Sequence, residues 1–237
     1  MSDAAASCWA VVPAAGIGSR MGGDLPKQYL ELAGATVLEH SLRALLASDR
    51  IAGVVVALNS QDERAAQLSV MNDPRIHTTE GGEQRSDSVL AGLDALAPVA
   101  GESDWVLVHD AARPCLSLAD LETLIDRVLG DGVGGILAEP VVDTVKLADA
   151  NGLVQRTLDR DSLWRAQTPQ MFRLDALRNA LQAAREQGKA VTDEASAMEL
   201  AGEPVQLVAA SSRNLKVTVP ADLDLAAMYL EREQMGE

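Results

Sequence analysis

In the stretch VVPAAGIGSRMGGDLPKQYLEL, residues 11–32, an apolar run ends in glycines and is followed by two cations. Gly16 and Gly18 let backbone N–H groups approach an anion closely, and Arg20 and Lys27 bring full charges to the same turn. Pro26 restricts the backbone directly before Lys27, which limits where the amine can go. A plain turn has no need of an arginine and a lysine on its exit, so these residue types suit a clamp for a triphosphate. Two familiar phosphate motifs do not fit. The dinucleotide fingerprint requires a small residue where this chain has Met21, and a Walker A loop requires Gly-Lys-Ser/Thr after its gap.

Whatever anion binds there must overcome the rest of the molecule. The 237 residues carry 35 acidic against 20 basic side chains, a formal charge of -15. That balance repels nucleic acid and anionic membrane surfaces at long range and demands a local cluster of cations around any anionic substrate. Three Trp, two Tyr and one Phe leave the core to Ala, Val and Leu and offer a base no aromatic platform. Cys8 and Cys115 make neither a disulfide framework nor a metal-ligand spacing, as expected in a reducing compartment. The first residues lack the basic start of a secretory signal, and the apolar runs are about half the roughly 20 residues of a membrane-spanning helix. The expectation is a soluble, cytoplasmic protein without nucleic-acid or membrane partners.

The elements that must position the turn follow from periodicity. WAVVPAAG, AGVVVALN, DWVLVHD and GGILAEPV read as buried strands, alternating with helical patterns in TVLEHSLRALLAS, QDERAAQLSVM, RSDSVLAGLDAL and LADLETLIDRVL. Such alternation predicts an α/β, three-layer sandwich with a mostly parallel, Rossmann-like sheet, whose ligands bind at the carboxyl ends of the strands. The rhythm breaks at residue 139. Two alternating runs flank DANG in DTVKLADANGLVQRTLDR, a hairpin signal, so residues 139–162 read as an arm inserted in a single domain spanning 1–237. Beyond it, LDALRNALQAAREQG is a helix ended by Gly188, TDEASAMELAG a helix with Thr192 as N-cap, PVQLVAAS and LKVTV short strands, and Pro220 opens a last helix.

Several motifs in one order carry a resemblance. PAAGIGSRMGGDLPKQYLEL resembles the N-terminal signature of the sugar-nucleotide nucleotidyltransferases. Its PKQY ending, with GGEQRSDSVLAGL, VHDAARP, DTVK, LDRDSLWRAQTPQ, TDEASAME and NLKVTVPADL, is similar to the 2-C-methyl-D-erythritol 4-phosphate cytidylyltransferases. The resemblance implies transfer of a cytidylyl group from CTP to a sugar-alcohol phosphate with release of pyrophosphate, a divalent ion such as Mg²⁺ on the triphosphate, and a homodimer packed through the arm. It implies that Pro13, Ala14, Ala15, Gly16, Gly18 and Ser19 wrap the triphosphate, with Arg20 and Lys27 on the α-phosphate. Gly82, Glu83, Arg85 and Ser88 would face base and ribose. Family members often carry Asp where Glu83 stands, a change that a backbone contact survives. Asp110 would face nucleotide, metal or polyol, and Arg113, Thr144, Arg160, Thr168, Thr192 and Lys216 would complete the acceptor pocket, with Thr144, Arg160 and Thr168 possible contributors across a dimer interface.

These residue types suit that reaction. A phosphate monoester with a second pKa of about 6 already offers an anionic oxygen at neutral pH, so no general base is needed. The obstacle is repulsion between anions, which fixed cations and positioning overcome. His109 precedes Asp110 on a strand and points to the opposite face, which gives it a structural role. Cys115 reads as structural, Lys146 and Arg156 as solubilising charges on a strand edge, and Asp143 as a turn cap. Without the resemblance, Arg160 between Asp159 and Asp161 reads as a surface ion pair. The rival readings are transfer to another polyol phosphate such as ribitol 5-phosphate, a non-catalytic nucleotide-binding protein of the same fold, and a nicotinamide oxidoreductase, which Met21 opposes.

Overall fold

The strand β1 (Cys8–Pro13) is buried on both faces: Ala10 and Val12 turn to one side and Val11 to the other, all without solvent exposure. Two layers must therefore cover it. The computed structural model, which describes residues 8–16, 25–101 and 103–235, supplies them. On one face lie α1 (Val37–Leu46) and α3 (Leu118–Asp131), packing Leu38, Leu42, Leu45, Leu121 and Leu124 against Ala10, Val12, Val54 and Val56. On the other, α2 (Arg85–Leu96), α4 (Leu174–Glu186) and α5 (Glu194–Leu200) bring Val89, Leu93, Leu177 and Met198 onto Val11, Val55 and Val106. At Gly92 the approach of α2 is so close that a Cβ would stand 2.4 Å from Val11 Cγ1.

The central sheet has seven strands, in the order β11 (Gln206–Ala209), β7 (Gly135–Pro140), β10 (Trp164–Arg173), β6 (Trp105–Val108), β1, β4 (Ile51–Leu58) and β5 (Ile76–Glu80). β1 runs parallel to β4 and β6, with Val11 opposite Val55 and Val108. Only β10 runs against its neighbours β6 and β7. The sandwich and its mostly parallel sheet are as the periodicity requires. A small antiparallel pair, β2 (Glu31–Leu32) and β3 (Ala35–Thr36), joins α6 (Pro220–Met235) around Leu32, Cys115, Val217 and Leu230.

Three local expectations fail. QDERAAQLSVM forms two 3-10 turns, Ala65–Gln67 and Ser69–Asn72, in place of a helix. The Asp62 carboxylate accepts the N–H groups of Arg64 and Ala65, and Leu68 between the turns is extended, so local bonds win over helix propagation. Thr192 is not the cap of α5: Asp193 is, accepting the Ser196 N–H at 3.0 Å in a capping box. LKVTV is no strand; its Val217 N–H reaches Ala112 O at 2.8 Å and ties the segment to the loop after β6. β5 and the long β10 go unread in the sequence. β5 is a half-exposed edge, and Pro169 interrupts β10 where its register shifts between Ala166 and Gln170.

The hairpin is present as a separate antiparallel pair, β8 (Lys146–Ala148) and β9 (Val154–Thr157), exposed along both strands. Its turn is held by the Asp149 carboxylate, which accepts from Asn151 and Leu153, and Gly152 supplies the positive φ of 81°.

Candidate active site

The carboxyl ends of β1 and β6 open beside each other, and the chain leaves both in loops. Ala14 makes one last ladder bond to Ala57 O at 2.8 Å before the glycine-rich loop departs. The Gln28 amide then donates to Ala14 O at 2.8 Å and Gly16 O at 3.1 Å. Because carbonyl and following N–H point opposite ways in a trans peptide, this clamp turns the Ala15 N–H away from Gln28. Gln28 belongs to the 3-10 turn Lys27–Tyr29, whose preceding Pro26 holds φ at -58°. The same turn directs Lys27 Nζ to Val217 O at 3.1 Å.

Facing this loop is the segment before α2. A Cβ at Gly81 would stand 2.7 Å from Ala15 Cβ, so the two loops touch through a residue without a side chain. Ser88 Oγ accepts from Gly82 N at 3.1 Å and lies within reach of Gly82 O and Gln84 O, which makes it a brace of that loop. Between the loops lies a cavity of about 280 Å³. Of the residues expected to meet the nucleotide, Pro13, Ala14, Ala15, Gly16, Lys27, Gly82, Glu83, Arg85, Ser88 and Asp110 all line it, with Lys216. Gly18, Ser19 and Arg20 lie outside the described residues.

A second cavity of about 210 Å³ adjoins it, lined by Arg113, Thr168, Thr192 and Asp193 among others. Arg85, Asp110 and Lys216 border both cavities. They form one buried network. Arg85 Nε bonds Asp110 Oδ1 at 2.9 Å while its two terminal nitrogens grip the Glu194 carboxylate at 2.6 and 3.0 Å. Lys216 Nζ lies 2.7 Å from Asp110 Oδ2, and Arg113 Nε 3.7 Å from the same atom. Three cations thus face two carboxylates, an excess of one positive charge in an acidic protein.

Burial by itself would raise the Asp110 carboxyl, but Arg85, Lys216 and Arg113 outweigh it and hold the group well below the usual carboxylate range. Asp110 is therefore a fixed anion. For Glu194, burial pushes the carboxyl up against the pull of Arg85. For His109, fully buried, desolvation pushes the imidazole down to about 4, so it is neutral at physiological pH. His109 indeed packs as a structural group, its nitrogens 3.1 Å from Thr168 Oγ1 and 3.1 Å from Arg113 O.

Two expected residues stand elsewhere. Arg160 lies in an exposed 3-10 turn of the arm, its Nη1 2.5 Å from Val142 O, and Thr144 is exposed on the same arm; neither lines either cavity. Conversely, Gln28, Glu194 and Asn214 escaped the sequence reading. Asn214 is fully buried and donates to Gln167 Oε1 at 2.9 Å and Thr168 O at 2.8 Å. The only sequence cue to all three is adjacency: each is next to, or two residues from, a residue singled out for its charge or hydroxyl.

Among the described residues no three His, Cys, Asp or Glu side chains cluster as a metal cage. Both Asp110 oxygens are already occupied by cations. A divalent ion here would depend on phosphate oxygens for its ligands.

Two adjoining cavities at the strand ends of a mixed α/β sheet, sharing fixed cations and showing no nucleophile-base pair among the described residues, fit a group-transfer site of the nucleotidyltransferase class. The comparisons narrow the class. The family profile described as 2-C-methyl-D-erythritol 4-phosphate cytidylyltransferase matches residues 8–232, and the chain belongs to that family. A relative of that name from Ectopseudomonas mendocina is 52% identical over 228 residues, covering 95% of this chain and 97% of its own. One from Vibrio vulnificus is 49% identical, covering 99% of each. Among solved structures, a 4-diphosphocytidyl-2C-methyl-D-erythritol synthase superposes with a TM-score of 0.82 at 37% identity, covering 95% of this chain and 99% of its own. The Francisella tularensis 2-C-methyl-D-erythritol 4-phosphate cytidylyltransferase gives 0.80 at 36%, covering 94% and 99%. The chain is thus an enzyme of the cytidylyltransferase type, and none of its described helices is long and apolar enough to cross a membrane.

Proposed function

We propose that the protein transfers the cytidylyl group of CTP to 2-C-methyl-D-erythritol 4-phosphate, forming 4-diphosphocytidyl-2-C-methyl-D-erythritol and pyrophosphate in isoprenoid precursor synthesis. The observation that carries the reading is the pair of cavities sharing Arg85, Asp110 and Lys216. Such a geometry seats two phosphorylated molecules with their reacting ends against common charges. The nucleotide occupies the cavity of Ala14, Ala15, Gly16, Gly82, Glu83 and Ser88; the acceptor occupies that of Arg113, Thr168 and Thr192.

No proton needs to be removed, because the acceptor phosphate is already an anion near neutral pH. A phosphate oxygen attacks the α-phosphorus of CTP, the bond to the β-phosphate oxygen breaks, and pyrophosphate leaves with the electron pair. This chain's residues lower the barrier electrostatically. Lys27, with Arg20 seven positions before it in the sequence, neutralises charge growing on the α-phosphate; Lys216 and Arg113 hold the incoming phosphate. Asp110 keeps Arg85 and Lys216 apart and oriented. A divalent cation, Mg²⁺ in this reading, would be held by the triphosphate oxygens and would add to the neutralisation.

The arm extends the proposal. Thr144 and Arg160 are outside both cavities of their own chain, and the arm exposes Val142, Leu153 and Val154. We assign the arm to a homodimer contact that brings both residues to the partner's acceptor cavity. We place the enzyme in the cytoplasm, in keeping with two buried thiols that burial raises to about 11 and about 12.

The test is direct. Incubated with CTP, Mg²⁺ and 2-C-methyl-D-erythritol 4-phosphate, the protein is expected to release pyrophosphate, and Lys27→Ala is expected to lower kcat by roughly 10²- to 10³-fold. Absence of release, or faster release with ribitol 5-phosphate, rejects the assigned acceptor. CTP binding without turnover of either rejects catalysis.

A further inference from the structure

We infer that His109, held as its Nε2–H tautomer, makes Thr168 a hydrogen-bond acceptor toward the second cavity, so that Thr168 addresses a hydroxyl of the acceptor substrate and not its phosphate. The inference rests on the reading that this cavity takes a polyol phosphate. Its geometry is a chain of single-choice bonds. His109 Nε2 lies 3.1 Å from the backbone carbonyl of Arg113, which can only accept, so Nε2 carries the hydrogen. The imidazole is fully buried and neutral, so Nδ1 is bare. A bare Nδ1 accepts, and what faces it at 3.1 Å is the Thr168 hydroxyl, which therefore donates its one hydrogen there.

Thr168 Oγ1 also accepts the Asp110 N–H at 3.0 Å. One lone pair is left on an oxygen whose residue lines the second cavity. A phosphomonoester is acceptor-only at neutral pH and gains nothing from it; a polyol hydroxyl can donate to it. The phosphate is left to donors bordering the same cavity, Arg113 and Lys216. Asn214 fixes the arrangement by donating its side-chain amide to Thr168 O at 2.8 Å, while its backbone carbonyl accepts from Arg113 Nη1 at 2.6 Å. His109 is thus a positioning residue that acts through Thr168 on the selection of hydroxylated acceptors.

Two measurements on the full chain test this. In imidazole ¹⁵N–¹H spectra at pH 7, the signals lost in His109→Gln should show a protonated Nε2 and an unprotonated Nδ1; an Nδ1–H imidazole or an imidazolium overturns the inference. In binding assays, Thr168→Val should weaken 2-C-methyl-D-erythritol 4-phosphate about tenfold, leave n-butyl phosphate within about twofold, and be rescued by Thr168→Ser. Equal weakening of both probes overturns it, since the contact would then be to phosphate. If the wild-type protein binds n-butyl phosphate but gains nothing from the polyol hydroxyls, the acceptor reading falls and the hydroxyl contact with it. Thr168→Ser keeps the hydroxyl and serves as the folded reference if Thr168→Val is unstable.

Discussion

Lys27 and Gln28 are neighbours with opposite assignments. The lysine brings charge to the nucleotide cavity, while the glutamine amide spends both hydrogens on carbonyls of the loop that lines it. Gln28→Glu keeps the shape and replaces two donors with an anion against two carbonyl oxygens. The Kd for CTP is expected to rise roughly 10- to 100-fold, with acceptor binding unchanged; titration calorimetry showing wild-type CTP affinity would refute the clamp. His109 carries a second prediction, on stability. Its native pKa of about 4 lies below the ordinary 6.5, so between those values the unfolded chain binds more protons and stability rises with pH. The contribution is full above pH 6.5 and lost as pH falls toward 4, about 3 kcal/mol at most by linkage. Urea midpoints measured from pH 7 to pH 4 should fall less steeply in His109→Gln than in the wild type; parallel slopes would contradict it.

At the scale of elements, helix α2 is seated against β1 by the missing side chain at Gly92. Gly92→Ala forces a Cβ to within 2.4 Å of Val11 unless helix and sheet separate. Overpacking of this kind costs about 1–3 kcal/mol, against a gain in helix propensity below about 1. A lower thermal midpoint is expected, and a higher one would mean that the layers yield without loss. The same layers show what the sequence made legible. Strands with two buried faces, such as β1 and β4, are continuous apolar runs and are read easily. β10 is not, because its buried stretch holds Gln167, Thr168 and Gln170 alongside Pro169, residues that argue against a central strand; the first three line the second cavity. The site follows the same rule. Glycines and charges in Gly16, Lys27, Arg85 and Lys216 announce anion binding, whereas the roles of Gln28, Glu194 and Asn214 depend on contacts 12 to 109 residues away, which no local pattern contains.

At the scale of the whole molecule, the arm poses the question of how many chains make one site. An isolated two-stranded hairpin is marginal in water, and this one also exposes Leu153 at 67% and Val154 at 63%. A second copy packing on it would explain both and would carry Arg160 to a cavity that its own chain's arm does not line. Complementation separates this from a role within one chain. Lys27→Ala and Arg160→Ala are each expected to be nearly inactive alone. Unfolded together in equal amounts and refolded, they give about half mixed dimers if assembly is random. In a mixed dimer with sites shared between subunits, one site combines the intact Lys27 of one chain with the intact Arg160 of the other, and the second site lacks both. Activity should therefore recover to about a quarter of the wild-type value, and should be lost again when Leu153→Asp is added to both chains to break the contact. If Arg160 served its own chain, every site in every dimer would lack one cation, and mixing would restore nothing. Recovery measured as pyrophosphate release, with sedimentation velocity to establish the dimer, decides between the two.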